Sequence, residues 1–192
     1  MLDGQPLRKQ MRRRDIPGSV RYITFSCYGR MPLLNHPEIR ELFIDALGRA
    51  RRTFAFELFA WVVMPEHAHL LLRPKPGDAL APALAFMKTS TSQRILNRWK
   101  RLRAPILHRL VRAGGGFHYW LPGGGFDRNV RDEPEFCETV RYIHRNPVER
   151  GLVAAPDGWR WSSIHSWLGR PINLIHDAPP WGLNWHTWDG FQ

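Results

Sequence analysis

The stretch WVVMPEHAHLLL, Trp61 to Leu72, decides how this chain is read. Trp61–Met64 continues an apolar run that starts at Phe56, and Pro65-Glu66 interrupts it. That pattern is a buried strand, a turn, and a second strand over His67–Arg73. Side chains alternate faces along a strand, so Ala68, Leu70 and Leu72 face a core while His67 and His69 share the opposite face. Two imidazoles side by side on a strand are a candidate pair of metal ligands. The alternative is a pair of polar positions on a half-solvated strand, and the residues elsewhere in the chain decide between the two. Glu66, beside the histidines, is either a group supporting one of them or a solvated turn residue.

Outward from this hairpin, Arg21–Tyr28 (RYITFSCY) is rich in β-branched and aromatic residues and reads as a strand. His36–Arg52 spaces Ile39, Leu42, Phe43 and Leu47 at helical intervals. Arg73–Asp78 (RPKPGD) breaks the pattern, and Ala79–Arg103 reads as a long helix with Phe86, Ile95 and Trp99 as its larger apolar members. Two glycine runs bracket FHYWLP, a loop or short strand. Asp132–Asn146 is the clearest helix: Asp132 with Glu135 makes a capping-box start, Phe136, Val140 and Ile143 make the apolar stripe, and Pro147 marks the end.

The 192 residues suffice for one domain with an ordinary core. The expected divisions are a basic arm over 1–19, the domain proper over 20–155 and a Trp-rich extension over 156–192, which holds six of the nine tryptophans. The extension reads most simply as an apolar flap on the domain. The formal net charge of +11 points to a polyanionic partner, nucleic acid before an anionic membrane. From Ala79 to Phe126 there is no acidic residue. That segment carries Lys88, Arg94, Arg98, Lys100 and Arg101, candidate phosphate contacts, and Trp99, Tyr119 and Trp120 among them could stack unpaired bases. For Trp99, core packing is the simpler role. Cys27 and Cys137 form no metal or disulfide pattern, and no run resembles a signal peptide or membrane span, so a reducing cytoplasmic setting is expected.

The last helix offers a second polar set. Tyr142 and Asn146 lie about 40° apart around its axis, one turn from each other. A phenol oxygen is a potential nucleophile and a carboxamide oxygen a hard neutral ligand for Mg2+ or Mn2+. Helix geometry alone leaves the blander roles standing: Tyr142 as a boundary packing residue, Asn146 as a C-cap. Asp127 and Arg128 precede this helix, where Arg128 either holds a phosphate or pairs with a carboxylate.

Taken in order, WVVMPEHAHLLL, GGGFDRNVRD (Gly123–Asp132), RYIHRNPVERGLV (Arg141–Val153) and WRWSS (Trp159–Ser163) resemble the REP-associated tyrosine transposases, within the single-tyrosine HUH transposases. The resemblance runs from about Arg21 to about Trp167; the arm and the tryptophan-rich end have no counterpart in it. It implies an α+β domain, ferredoxin-like or RRM-like, with a central antiparallel sheet carrying the His-x-His pair and helices packed on it. It implies a nickase and strand transferase acting on single-stranded, hairpin-forming DNA. His67, Ala68 and His69 match the family's His-hydrophobe-His, Tyr142 its nucleophile in YI-x-x-NP, and Asn146 the polar residue that completes the metal site, with Mg2+ or Mn2+ as cofactor. A nucleotide cofactor and a membrane partner are not expected, and the molecule is a monomer or homodimer. Rival readings are another HUH nuclease such as a rolling-circle initiator, a nucleic-acid-binding protein without cleavage activity, and a metal phosphodiesterase that uses water. Tyr22, Tyr28 and Tyr119 stand outside the implied site.

Overall fold

The computed structural model describes residues 16–183 apart from 124, 171, 173 and 175. Most of the expected basic arm, and Trp185 and Trp188, lie outside the described residues.

The chain runs β1 (Val20–Ser26), α1 (Pro37–Phe54), β2 (Glu57–Val63), β3 (His67–Arg73), α2 (Leu80–Arg101), β4 (Phe126–Val130), α3 (Glu133–Glu149) and a short α4 (Ile164–Trp167). The four strands form one antiparallel sheet in the order β2-β3-β1-β4. This is the split βαββαβ arrangement of ferredoxin-like folds, so the α+β expectation holds. Among the described residues no helix is long and apolar enough to cross a membrane.

Strand alternation sorts the sheet into two faces. Ile23 and Phe25 of β1 and Ala68, Leu70 and Leu72 of β3 pack under α1 and α2, against Phe43, Leu47, Leu84 and Met87. Tyr22, Val62, Leu71 and Val130 face the other way, under Phe136, Val140 and Ile143 of α3. A bulge between Leu58 and Ala60 adds one residue to β2. It sends the successive residues Phe59 and Ala60 to the α3 side.

Three readings change. Residues 126–130 form an edge strand where no strand was expected. It is held by pairing to β1 and by the buried Arg21–Asp127 ion pair at 2.8 Å. Second, α3 passes through Pro147 and ends at Glu149, although Asp132 caps its start as expected by accepting from the Glu135 N–H at 2.9 Å. Proline lacks a donor for the carbonyl one turn back, and in the last turn that loss is small. Third, the histidine face is not open: α3 covers it, and His69 is 4% exposed.

The tryptophan-rich segment completes the sheet. β2 is an edge, and its polar backbone is bonded by residues that follow α3. Val63 N–H donates to Trp161 O at 2.9 Å and Ser163 N–H to Trp61 O at 2.9 Å. The indole N–H groups of Trp159 and Trp167 donate to Val63 O and Phe59 O at 3.1 and 2.9 Å. An indole brings a large apolar body and one donor, which suits covering a buried strand edge.

Candidate active site

The two histidines sit where β3 lies beside β1. Ser26 pairs with His67 and Thr24 with His69 across the strands, so Tyr22, Thr24 and Ser26 share the histidine face. Helix α3 closes this face from above, bringing Thr139, Tyr142 and Asn146 over it. Between them lies a cleft of about 750 Å3.

Each imidazole is held through its Nδ1. That of His67 lies 3.1 Å from Glu66 Oε1, and Arg150 holds the same oxygen at 2.8 Å. An ionised carboxylate only accepts, so the His67 Nδ1 donates and its Nε2 keeps a lone pair. The His69 Nδ1 lies 2.7 Å from the hydroxyls of both Tyr22 and Thr24. Burial lowers the pKa of His67, and burial together with the neighbouring His67 lowers that of His69 to about 3. Both rings are therefore neutral at pH 7.

The two Nε2 atoms are 2.9 Å apart. Two nitrogens bound at right angles to one ion, each at about 2.1 Å, would be separated by about 3.0 Å. When His69 donates from Nδ1 to Tyr22 or Thr24, both Nε2 atoms carry a lone pair. Asn146 adds a third donor: its Oδ1 is buried, has no hydrogen-bond partner and belongs to the same cleft. A buried acceptor left unpaired is costly unless something fills its place. Two neutral imidazoles and a carboxamide oxygen thus fit a divalent cation. Among the described residues no group of three His, Cys, Asp or Glu side chains could hold an ion, so this mixed set is the candidate.

Tyr142 stands at the rim, 42% exposed, its ring edge-on to His69 at 5.5 Å. It lines the same cleft as the histidines. Tyr22, expected to lie apart, is in the site: it stacks on His69 at 5.7 Å and meets Tyr142 edge-on at 6.2 Å. Burial raises its pKa strongly, so it is a neutral hydrogen-bonding group. Tyr28 and Tyr119 do not line the cleft. Alternation along RYITFS was the signal for Tyr22 and Thr24, but which strand lies beside β3 is not written in it.

The basic candidates divide. Arg128 lines the cleft and pairs with Glu135. The α2 residues lie on the opposite face of the sheet. There Arg94 pairs with Asp45 and Arg98 with Glu38. Lys88 and Lys100 lie over the rings of Phe25 and Phe117, and Arg101 is exposed. Trp99 packs against Tyr119, its ring centroid 5.8 Å away, on the core of that face.

Comparisons with known proteins find transposases. The family described as "Transposase IS200 like" matches residues 20–110, which include the histidine strand and stop before α3. The chain is 26% identical over 172 residues to the REP-associated tyrosine transposase of Escherichia coli K12, covering 88% of this chain and 92% of that protein. It is 27% identical over 151 residues to a putative REP-associated tyrosine transposase of Haemophilus influenzae, covering 74% and 76%. A solved REP-associated tyrosine transposase, bound to a REP hairpin, shares the fold with a TM-score of 0.65 at 24% identity, covering 88% of this chain and 90% of that one.

Proposed function

We propose that this chain, a relative of the REP-associated tyrosine transposases, cleaves and rejoins single-stranded DNA at the foot of a hairpin through a covalent tyrosine intermediate. One observation carries the reading: an accessible tyrosine, two neutral imidazoles and an unpartnered carboxamide oxygen meet in a single cleft. The REP hairpin in the related complex motivates the choice of substrate.

The chain's own groups divide the work. His67, His69 and Asn146 would hold Mg2+ or Mn2+, and the imidazole pair favours Mn2+ over Mg2+. Such an ion neutralises charge on a phosphate and polarises it towards attack. Glu66 with Arg150, and Tyr22 with Thr24, fix the two rings so that both Nε2 atoms face the cleft. Tyr142 Oη attacks the phosphorus; the bond from phosphorus to tyrosine forms as the bond to the 3′ oxygen breaks. That oxygen leaves as a 3′-hydroxyl, and the 5′ phosphate stays on Tyr142. Attack by a second 3′-hydroxyl reverses the exchange and joins a new strand, so no nucleotide is consumed. The half-exposed rings of Tyr142 and Phe126 offer planar faces to unpaired bases at the mouth.

The test is a hairpin oligonucleotide with single-stranded flanks, copied from DNA beside the gene and incubated with the full chain and Mn2+. The wild type should yield a cut strand and a protease-sensitive, denaturant-resistant adduct whose peptide contains Tyr142. Tyr142→Phe should bind the DNA and form neither. An adduct on Tyr22, which also lies in the cleft, would move the nucleophile. Cleavage with no adduct would replace the tyrosine by water, and binding with no cleavage would leave a DNA-binding protein.

A further inference from the structure

We propose that Arg30 is a phosphate-binding residue of this cleft, taking the scissile phosphodiester of single-stranded DNA beside His67. The proposal rests on the cleavage reading above.

Three arginines line the cleft: Arg30, Arg128 and Arg150. Two are engaged by carboxylates, Arg128 by Glu135 and Arg150 by Glu66. Arg30 makes no ion pair among the described residues and is exposed. The cleft also carries Glu138 and Glu149, which repel a phosphate. A polyanion therefore needs a cation that is not already committed, and Arg30 supplies it. Its planar fork of donors matches two phosphate oxygens at once.

The backbone at this position points the same way. Gly29 and Arg30 have φ of 58° and 51°, and the Met31 N–H donates to Tyr28 O at 3.1 Å. This is a tight turn with two left-handed central residues, where glycine or asparagine is at home. An arginine here costs conformational energy that a glycine would not. Strain of this kind gathers where a side chain is needed in one place. The turn is also fixed: the Arg30 N–H donates to Cys27 O at 3.0 Å, and the Cys27 N–H to Glu66 O at 2.8 Å. Arg30 is thereby tied to the residue next to His67.

The test uses the full chain, the hairpin oligonucleotide and Mn2+, with single-turnover cleavage as the first readout. Arg30→Gly relieves the turn, so its melting temperature should equal or exceed that of the wild type. Its cleavage should fall by about 100-fold, and Arg30→Lys should recover only part of the loss. The second readout is binding in a Tyr142→Phe background to DNA with a neutral methylphosphonate at the mapped cleavage position. The neutral group should weaken binding about tenfold more when Arg30 is present than when it is Gly. Arg30→Gly cleaving within about threefold of wild type, or a methylphosphonate penalty independent of residue 30, overturns the proposal and leaves the cleavage reading intact. Failure of the wild type to cleave with any divalent ion overturns both.

Discussion

His69 ties the cleft together more tightly than its place on a strand suggests. Its ring meets Tyr22, Thr24 and His67 through nitrogen atoms and Tyr142 in a T-shaped ring contact. His69→Ala should therefore cost stability as well as cleavage, by about 1–3 kcal/mol, because Tyr22 loses its partner in a buried site. His67→Ala removes a more exposed ring and should cost less than half of that; equal urea midpoints for the two variants would contradict this. His144 makes a second prediction. It is fully buried, bonded to Ser163 Oγ at 2.8 Å, and burial lowers its pKa to about 3. As pH falls below about 6.5 the unfolded chain takes up a proton that the native imidazole refuses. Stability is thus full above pH 6.5 and declines towards pH 3, by up to about 1.4 kcal/mol per pH unit for this group. Melting curves from pH 8 to 5 should show the decline, and His144→Gln should flatten it. His69 acts in the same direction, so the slope should shrink without vanishing.

Among the elements, β4 and the covered edge of β2 depend on single residues. Gly125 has φ +85°, and a Cβ there would lie 1.9 Å from Thr24 O and 2.9 Å from Phe25 Cα. Both obstacles are backbone, so Gly125→Ala must push β4 away from β1. The expected loss is on the order of 2 kcal/mol or more. Cleavage should drop with it, since Thr24 holds His69. An unchanged urea midpoint would show that β4 yields freely. At the other edge, Trp167→Phe keeps an aromatic body and removes the donor to Phe59 O. The unpaired carbonyl should cost about 1–3 kcal/mol, and a loss below about 0.5 kcal/mol in urea unfolding would mean that another group takes over the bond. The GGGF run flagged part of the first device, whereas nothing local links Trp167 to a carbonyl in a strand more than a hundred residues earlier.

Among the described residues, arginines lie on both faces of the sheet. Helix α2, within the acid-free segment, lies opposite the cleft, and two of its arginines are met by Asp45 and Glu38 of α1. The arginines beside the histidines come from a turn, from β4 and from just beyond α3. DNA affinity should fall steeply with salt, because phosphate neutralisation releases counterions. Replacing Arg30 and Arg128 together should flatten the log–log slope by up to about 2 units if both touch phosphates. Replacing Arg94 and Arg98 should change it less, since each already has a carboxylate. The reverse order would put the DNA across α2 and oblige the cleft to receive only the end of the strand.

The α+β class came from the resemblance to a family; the sequence by itself determined the histidine strand, the helix of Tyr142 and Asn146, and its Asp132 cap. Each follows from geometry repeating over two to four residues: alternation for His67 and His69, one helical turn for Tyr142 and Asn146, a capping box for Asp132. Only the tertiary structure decided that α3 lies over the histidines, that β1 supplies Tyr22 and Thr24 as their partners, and that residues 126–130 are a strand. It also decided that Arg94 and Arg98 meet acids from another helix. These outcomes depend on which segments pack together after the chain turns back on itself. A local pattern fixes the face on which a side chain lies, but not the neighbour that face will meet.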